Sequence, residues 1–276
     1  LSLLFLVIYM VTMMGNILIL LLVVANQHLH TLMYFFLGNL SCLETCYNST
    51  ILPKLLASFL TGDRIISYSC VTHFFIFAFL FGVECYLLAV MSYDCYLAVS
   101  KLLHYVTLMN HKLSTTLAAG AWVSGFMISF VITLLMSQMV YCDSREIDHF
   151  FCDFTPVIKC SCSDTFLIEV VTSLMSAACT KLPFLFTVAS HILIIITILR
   201  NPSATGRQNA FSTCSSHVIL ATIFYTTLIL VYMLPKTYNL TVFNKFTVFY
   251  TVLIPVVNQL IYTLRNKEVR GALRKE

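Results

Sequence analysis

Several side chains bearing a charge or an amide stand inside long apolar runs of this chain, among them Asn16, Glu44, Glu84, Asp94, Lys181 and Asn258. Counted from the ends of those runs, Asn16, Glu44, Glu84 and Asn258 fall at a similar depth, in what would be the inner half of a bilayer. Together they would make one oxygen-rich cluster between helices. Oxygen ligands of this kind suit a hard cation, and two carboxylates would balance a sodium ion. The other reading is a pair of buried acids, at least one of them protonated, hydrogen-bonded to the two amides. The residue types alone lean slightly towards that second reading. Charges in such runs usually face the protein interior and are functional candidates by default. Lys181 could reach Glu169 only across several turns, so it is expected to snorkel or to face a wet cavity.

A second pattern is aromatic. Phe74, Phe77, Ala78, Phe81, Gly82 and Cys85 share one face at helical spacing, Tyr225, Leu228, Ile229 and Tyr232 share another, and Met175, Ser176 and Cys179 could line a third. Such stripes are more often core or lipid contact than a ligand box. A small-molecule cavity, mostly apolar with a few hydroxyls, would look the same.

The elements that must carry these residues follow from composition. The 276 residues are 59% hydrophobic and 10% charged, with a mean hydropathy of +0.89, too much apolar surface for a chain packed in water. Crossing a hydrocarbon core of about 30 Å takes roughly 20 helical residues, and continuous apolar runs without strict alternation specify helices rather than a barrel. Spans are expected at Leu1–Val24, Met33–Phe59, Val71–Asp94, Leu113–Val140, Phe166–Leu199, Phe211–Leu234 and Phe246–Leu264. That is an all-α, seven-helix bundle in one domain, 1–276, with a long loop at 138–165. The first run lacks the short core and cleavage site of a signal peptide, so a retained span is expected there, with a tail preceding it.

Lys101, Lys112, Arg200, Arg207 and the basic tail Arg265, Lys267, Arg270, Arg274 and Lys275 meet few acids, whereas the basic residues of the alternate loops are offset by Asp63, Asp143, Glu146, Asp148, Asp153 and Asp164. The positive-inside rule makes the first set and the C-terminus cytoplasmic and the N-terminus extracellular. The net charge of +4 therefore reports topology and implies no nucleic acid. Val269, Ala272 and Leu273, beside those basic residues, suit a short amphipathic helix lying on the inner lipid leaflet.

Of eleven cysteines, Cys142, Cys152, Cys160 and Cys162 lie in the long outer loop and Cys70 at the outer start of the third span, where disulfides persist. No Cys-x-x-Cys pair supports zinc there. Cys42, Cys46, Cys85, Cys179 and Cys214 fall within spans as small packing residues. Sequons occur at Asn39, Asn48 and Asn239, the first two inside a span.

LHTLMYFFLGNLS (29–41), MSYDCYLAVSKLLHY (91–105), AFSTCSSHVIL (210–220) and PVVNQLIYTLRNKEV (255–269), with Gly15-Asn16, Trp122 and Pro183, resemble the signature segments of vertebrate olfactory receptors, a branch of the rhodopsin-like G-protein-coupled receptors. The resemblance implies a plasma-membrane, multi-pass odorant receptor that signals through a heterotrimeric G protein of the olfactory type and raises cyclic AMP. It implies disulfides Cys70–Cys152 and Cys142–Cys162. It places Phe77, Ala78, Phe81, Gly82, Met175, Cys179, Tyr225, Ile229, Tyr232 and Thr251 around an odorant cavity, and Asp94, Cys95, Tyr96, Asn258 and Tyr262 in coupling and activation. It also matches Glu44 and Glu84 to an inner sodium pocket, which favours the cation reading.

The resemblance breaks at informative points. Asp94 and Tyr96 flank Cys95 where the family has the Arg of Asp-Arg-Tyr, and a thiol has neither the reach nor the donor fork of a guanidinium. Without that Arg, Asp94 is expected to approach Lys101 or to be hydrated. Leu32, Leu103 and Gln259 stand where the family has proline, His191 where it has tyrosine, and Asn209 where a basic residue is common. One alternative is therefore a receptor-like protein with the same fold and impaired coupling. A transporter or channel would show repeated halves or paired broken spans, and neither is seen. An intramembrane hydrolase is weaker still, since Ser124-Gly125 lacks a Gly-x-Ser-x-Gly frame.

Overall fold

The computed structural model describes residues 2–25, 32–61, 68–101, 105, 109–139, 161–162, 165–200, 204–233 and 257–258, of which 2–5, 51–61, 68–70, 204–213 and 230–233 are described as backbone only. Among these residues the regular structure is helical: α1 (Ser2–Ala25), α2 (Leu32–Thr61), α3 (Tyr68–Ser100), α4 (His111–Ser137), α5 (Phe166–Arg200) and α6 (Ala204–Met233). Of the seventh expected span only Val257 and Asn258 are described, and both are helical.

Among the described residues four segments are long and apolar enough to cross a membrane, Leu6–Ala25, Val71–Ser100, His111–Ser137 and Phe166–Arg200, and Cys214–Ile229 is a shorter apolar stretch. Many serines and threonines of the helices donate back to a carbonyl one turn earlier, as Thr12 does to Ile8, Thr45 to Ser41 and Thr197 to Leu193, which satisfies those hydroxyls in apolar surroundings. The start of α4 is set by Asn110, whose side-chain oxygen accepts the Leu113 N–H at 2.8 Å, the usual cap for orphan first-turn donors.

The third helix runs six residues past its expected end at Asp94, which places Asp94 and Cys95 within α3 rather than at its mouth. It is also the central helix: 61% of its apolar stretch is buried, against 22% of α1 and of α5. It packs against α4, α5, α2 and α6, while α1 packs on α2. Large aliphatics at Met14, Leu21, Val24, Met127, Leu174, Leu185 and Leu199 point outward, the surface a lipid-facing helix presents.

Two glycines set the closest helix approach. A methyl on Gly125 of α4 would come within 2.7 Å of Val83 Cγ2, 2.8 Å of the Val83 nitrogen and 3.0 Å of the Phe79 carbonyl, so α4 runs directly on the α3 backbone. Across the contact, a methyl on Gly82 would sit 3.2 Å from the Gly125 Cα and 3.1 Å from Cys179 Sγ. Trp122 adds a polar tie to α2, its indole N–H donating to Asn39 Oδ1 at 3.2 Å. Asn39 itself donates to the Phe35 carbonyl, so that sequon residue is engaged inside the bundle.

One irregularity was not expected from the sequence. Within α5, Ala177–Lys181 form a π-helical turn, and the Leu182 N–H reaches back five residues to the Ala177 carbonyl. The cause is in the chain: Pro183 has no N–H to give the Cys179 carbonyl, and its ring would clash there in a regular helix. Tyr86 of α3 takes up the widened turn by donating to the Ala178 carbonyl at 3.1 Å.

Candidate functional site

The aromatic faces meet. Ring centroids run from Tyr47 to Phe77 at 5.7 Å, Phe77 to Phe81 at 6.1 Å, Phe81 to Phe224 at 6.0 Å, Phe224 to Tyr225 at 5.2 Å and Tyr225 to Phe184 at 5.1 Å, joining α2, α3, α6 and α5. Spacings of this size with tilted and stacked rings are the favourable arrangements for aromatic pairs. Tyr225 is buried and donates to the Cys85 carbonyl at 3.4 Å, which pins α6 to α3. Gly82 and Cys179 close the α3 to α5 side.

Of the expected cavity residues, Phe77, Gly82, Cys179 and Tyr225 are buried, and Ala78, Phe81 and Met175 are half-buried. Ile229 is 44% exposed. Tyr232 lies in α6 with only its backbone described, and Thr251 and Tyr262 lie outside the described residues. Sequence reasoning missed Tyr47, Phe184 and Phe224. The last could have been found from its place beside Tyr225, but Tyr47 and Phe184 sit on helices whose aromatic spacing gives no stripe.

The polar cluster also assembles. Asn258 Nδ2 donates to Glu44 Oε1 at 2.5 Å, joining the seventh span to α2. Glu44 is 3% exposed and Glu84 6%, and Glu84 stands close enough to Glu44 to feel its charge. The Asn16 Nδ2 is buried with no hydrogen-bond partner. Two acids so placed, with no base beside them among the described residues, must share a cation or give up a charge.

At the other end of α3 the expectation for Asp94 is corrected. Its partner is neither Lys101 nor water: the Tyr105 hydroxyl donates to Asp94 Oδ1 at 2.8 Å. Lys101 is exposed. Once α3 is seen to continue past Asp94, the reason is plain, because the carboxylate is 3% exposed, too deep for a lysine head that prefers water, whereas the chain at 105 folds back over it. Burial, with Asp94 beside it, pushes the Tyr105 phenol up, so the phenol stays a donor. Cys95 is packed with Cys214 and Ile194, and Tyr96 borders the same cluster. Lys181, the last residue of the π turn, is exposed, and Glu169 accepts from the Thr165 hydroxyl at 2.9 Å.

In the outer loop Cys162 is disulfide-bonded. Cys142, the partner that the resemblance implies, and the implied pair Cys70–Cys152 fall outside the side chains described.

The olfactory receptor family profile matches residues 5–276. This chain belongs to the olfactory receptor family. Among its relatives, human olfactory receptor 8H3 is 44% identical over 274 residues, covering 99% of this chain and 88% of the relative. Human olfactory receptor 6B1 is 44% identical over 275 residues with the same coverage, and mouse olfactory receptor 1M1 is 41% identical over 274 residues, again 99% and 88%. An olfactory receptor is a multi-pass membrane protein of the G-protein-coupled, sensory-transduction class and not an enzyme. In this olfactory receptor the departure at Cys95 is therefore a substitution within an intact helix, buried near the C-terminal end of α3.

Proposed function

We propose that this chain is an odorant receptor that holds a small, volatile, largely apolar ligand between α3, α5 and α6 and passes the signal to a heterotrimeric G protein of the olfactory type, raising cyclic AMP. The observation that carries the reading is the family match over residues 5–276. The aromatic chain from Phe77 to Phe184 supports it as a surface for dispersion contacts, with the Tyr225 hydroxyl and the Cys179 thiol the polar groups nearest to it. Binding would rest on burial and dispersion with one or two hydrogen bonds, at modest affinity because a volatile ligand has few atoms to bury. Seven spans, an extracellular N-terminus and a cytoplasmic C-terminus complete the proposal, supported by the distribution of basic residues.

The acidic cluster fits sodium. Glu44 and Glu84 would supply carboxylate oxygens, with Asn16 and Asn258 amide oxygens beside them, and the burial of both acids with no base beside them among the described residues supports the reading. The ion would supply charge balance to two adjacent acids and no reaction chemistry.

A second reading keeps the fold and the ligand but not the output. It is favoured by one observation: Cys95 is buried against Cys214 while Asp94 is held by Tyr105, so neither residue is free to meet a G protein. A cyclic-AMP assay with an odorant panel, on this chain and its Cys95→Arg form at matched surface levels, tests both. A response from the natural chain supports coupling as it stands. A response from the Arg form alone supports the second reading, and silence from both counts against the odorant-receptor assignment for the panel used.

A further inference from the structure

The inner ends of α3, α5 and α6 meet in two stacked layers. In the first, Ser92 Oγ lies 2.8 Å from His217 Nε2 and 3.4 Å from His191 Nε2. One turn further along α3 and α5, and one turn earlier on the oppositely directed α6, the second layer is Cys95, Ile194 and Cys214. Cys95 is 4% exposed and Cys214 1%. The Cys214 thiol donates to the Cys95 carbonyl at 3.7 Å. A thiol that touches the backbone of the residue carrying the other is the approach a disulfide needs, with Cα atoms within roughly 7 Å.

We propose that Cys95 and Cys214 are a redox modification site, forming a reversible disulfide that ties the inner end of α3 to that of α6. The oxidant is hydrogen peroxide, a small neutral molecule that can enter from the end of α3 marked by Lys101, the first residue beyond the helix. One thiol sulfur attacks peroxide and gives up its proton, the O–O bond breaks, a sulfenic acid forms and one water leaves. The second sulfur then displaces the sulfenic hydroxyl, the S–S bond forms and a second water leaves. Two thiols give up two electrons and two protons, and one peroxide becomes two waters. A small thiol reverses the bond by exchange. Cys85 and Cys179 form a similar pair between α3 and α5, but that pair lies nearly three turns further from Lys101, behind the Ser92 layer, where peroxide has the longer path. While the bond stands, α3 and α6 cannot part at this end, whatever is bound elsewhere in the protein.

The test uses the full chain in detergent or nanodiscs, exposed to graded hydrogen peroxide, quenched, alkylated under denaturing conditions and mapped by mass spectrometry without reduction. The expected result is a linked peptide joining Cys95 to Cys214, together with a rise in Tm of several degrees, both undone by dithiothreitol. Cys214→Ser and Cys214→Ala should each lose the linked peptide and the shift, and the wild-type result stands without them if either fails to fold. The exposed Cys42 and Cys46 gauge the dose. If both are oxidised while Cys95 and Cys214 are recovered as alkylated thiols, or if Cys95 is found linked to a different cysteine, the proposal is overturned.

Discussion

Gly125 offers the sharpest test of the packing, because its neighbour Gly120 supplies the opposite sign on the same helix. In Gly125→Ala the new methyl meets Val83 Cγ2 at 2.7 Å, the Val83 nitrogen at 2.8 Å and the Phe79 carbonyl at 3.0 Å. Only the first of these is the end of a side chain; the others are α3 backbone and cannot swing aside. Helices α3 and α4 must therefore separate by about 0.7 Å to restore ordinary contact, in a close-packed interior where such overpacking costs about 1–3 kcal/mol. The same movement loosens the contact at Gly82 and with it the Cys179 side of the aromatic site. In Gly120→Ala the methyl meets nothing within 4 Å, and removing a helix-interior glycine should stabilise by about 0.5–1 kcal/mol. Thermal unfolding of the purified receptor should show Tm lowered by several degrees for Gly125→Ala and equal or raised for Gly120→Ala. A Gly125→Ala protein with unchanged Tm would refute the direct approach of α4 to the α3 backbone.

Tyr105→Phe removes the hydroxyl that Asp94 accepts at 2.8 Å and should destabilise by about 1.5–3 kcal/mol, as for hydrogen bonds to a charged group; thermal unfolding of the variant checks it. Because burial raises the Tyr105 phenol, its contribution should be complete below the ordinary phenol pKa of about 10 and be lost as pH rises beyond it, visible as a Tm difference from Tyr105→Phe that is flat through neutral pH. Trp122→Phe keeps the ring contact with Phe79 but leaves Asn39 Oδ1 without its donor, and a loss of about 1 kcal/mol is expected in the same unfolding measurement. If sodium occupies the acidic cluster, raising sodium at constant ionic strength should raise Tm for the natural chain and not for Glu44→Gln; equal shifts in both would remove the ion from the site.

Much of this architecture was legible in the chain because lipid imposes a simple rule on it. Apolar runs of the right length must be helices, and the boundaries of α1, α2, α4 and α5 fall within a few residues of where hydropathy alone put them. The aromatic site was legible in part: Phe77, Phe81 and Tyr225 announce themselves by spacing, while Phe184 is hidden on a helix whose phase is altered upstream. Asp94 was misread because the end of a helix was inferred from the appearance of a charge. In fact the helix carries that charge inward and a later tyrosine satisfies it, a long-range pairing that no local pattern encodes. The π turn was written in the sequence at Pro183, yet a proline in mid-helix is compatible with a kink, a break or an added residue, and only packing against Tyr86 selects among them.

That added residue is absorbed in the width of one turn of the fifth span. At about 100° per residue, Thr172, Cys179, Pro183, Thr187, Ser190 and Ile194, the buried positions of α5, recur at intervals of 7, 4, 4, 3 and 4 residues and draw one inward line through the widened turn. Deleting one residue between Ala177 and Lys181 would leave hydropathy, charge and span length almost untouched while closing the widened turn into which Tyr86 donates. For this helix the count of residues decides whether α3 has a carbonyl to hold at that turn, and a change too small for composition to register would take that tie away.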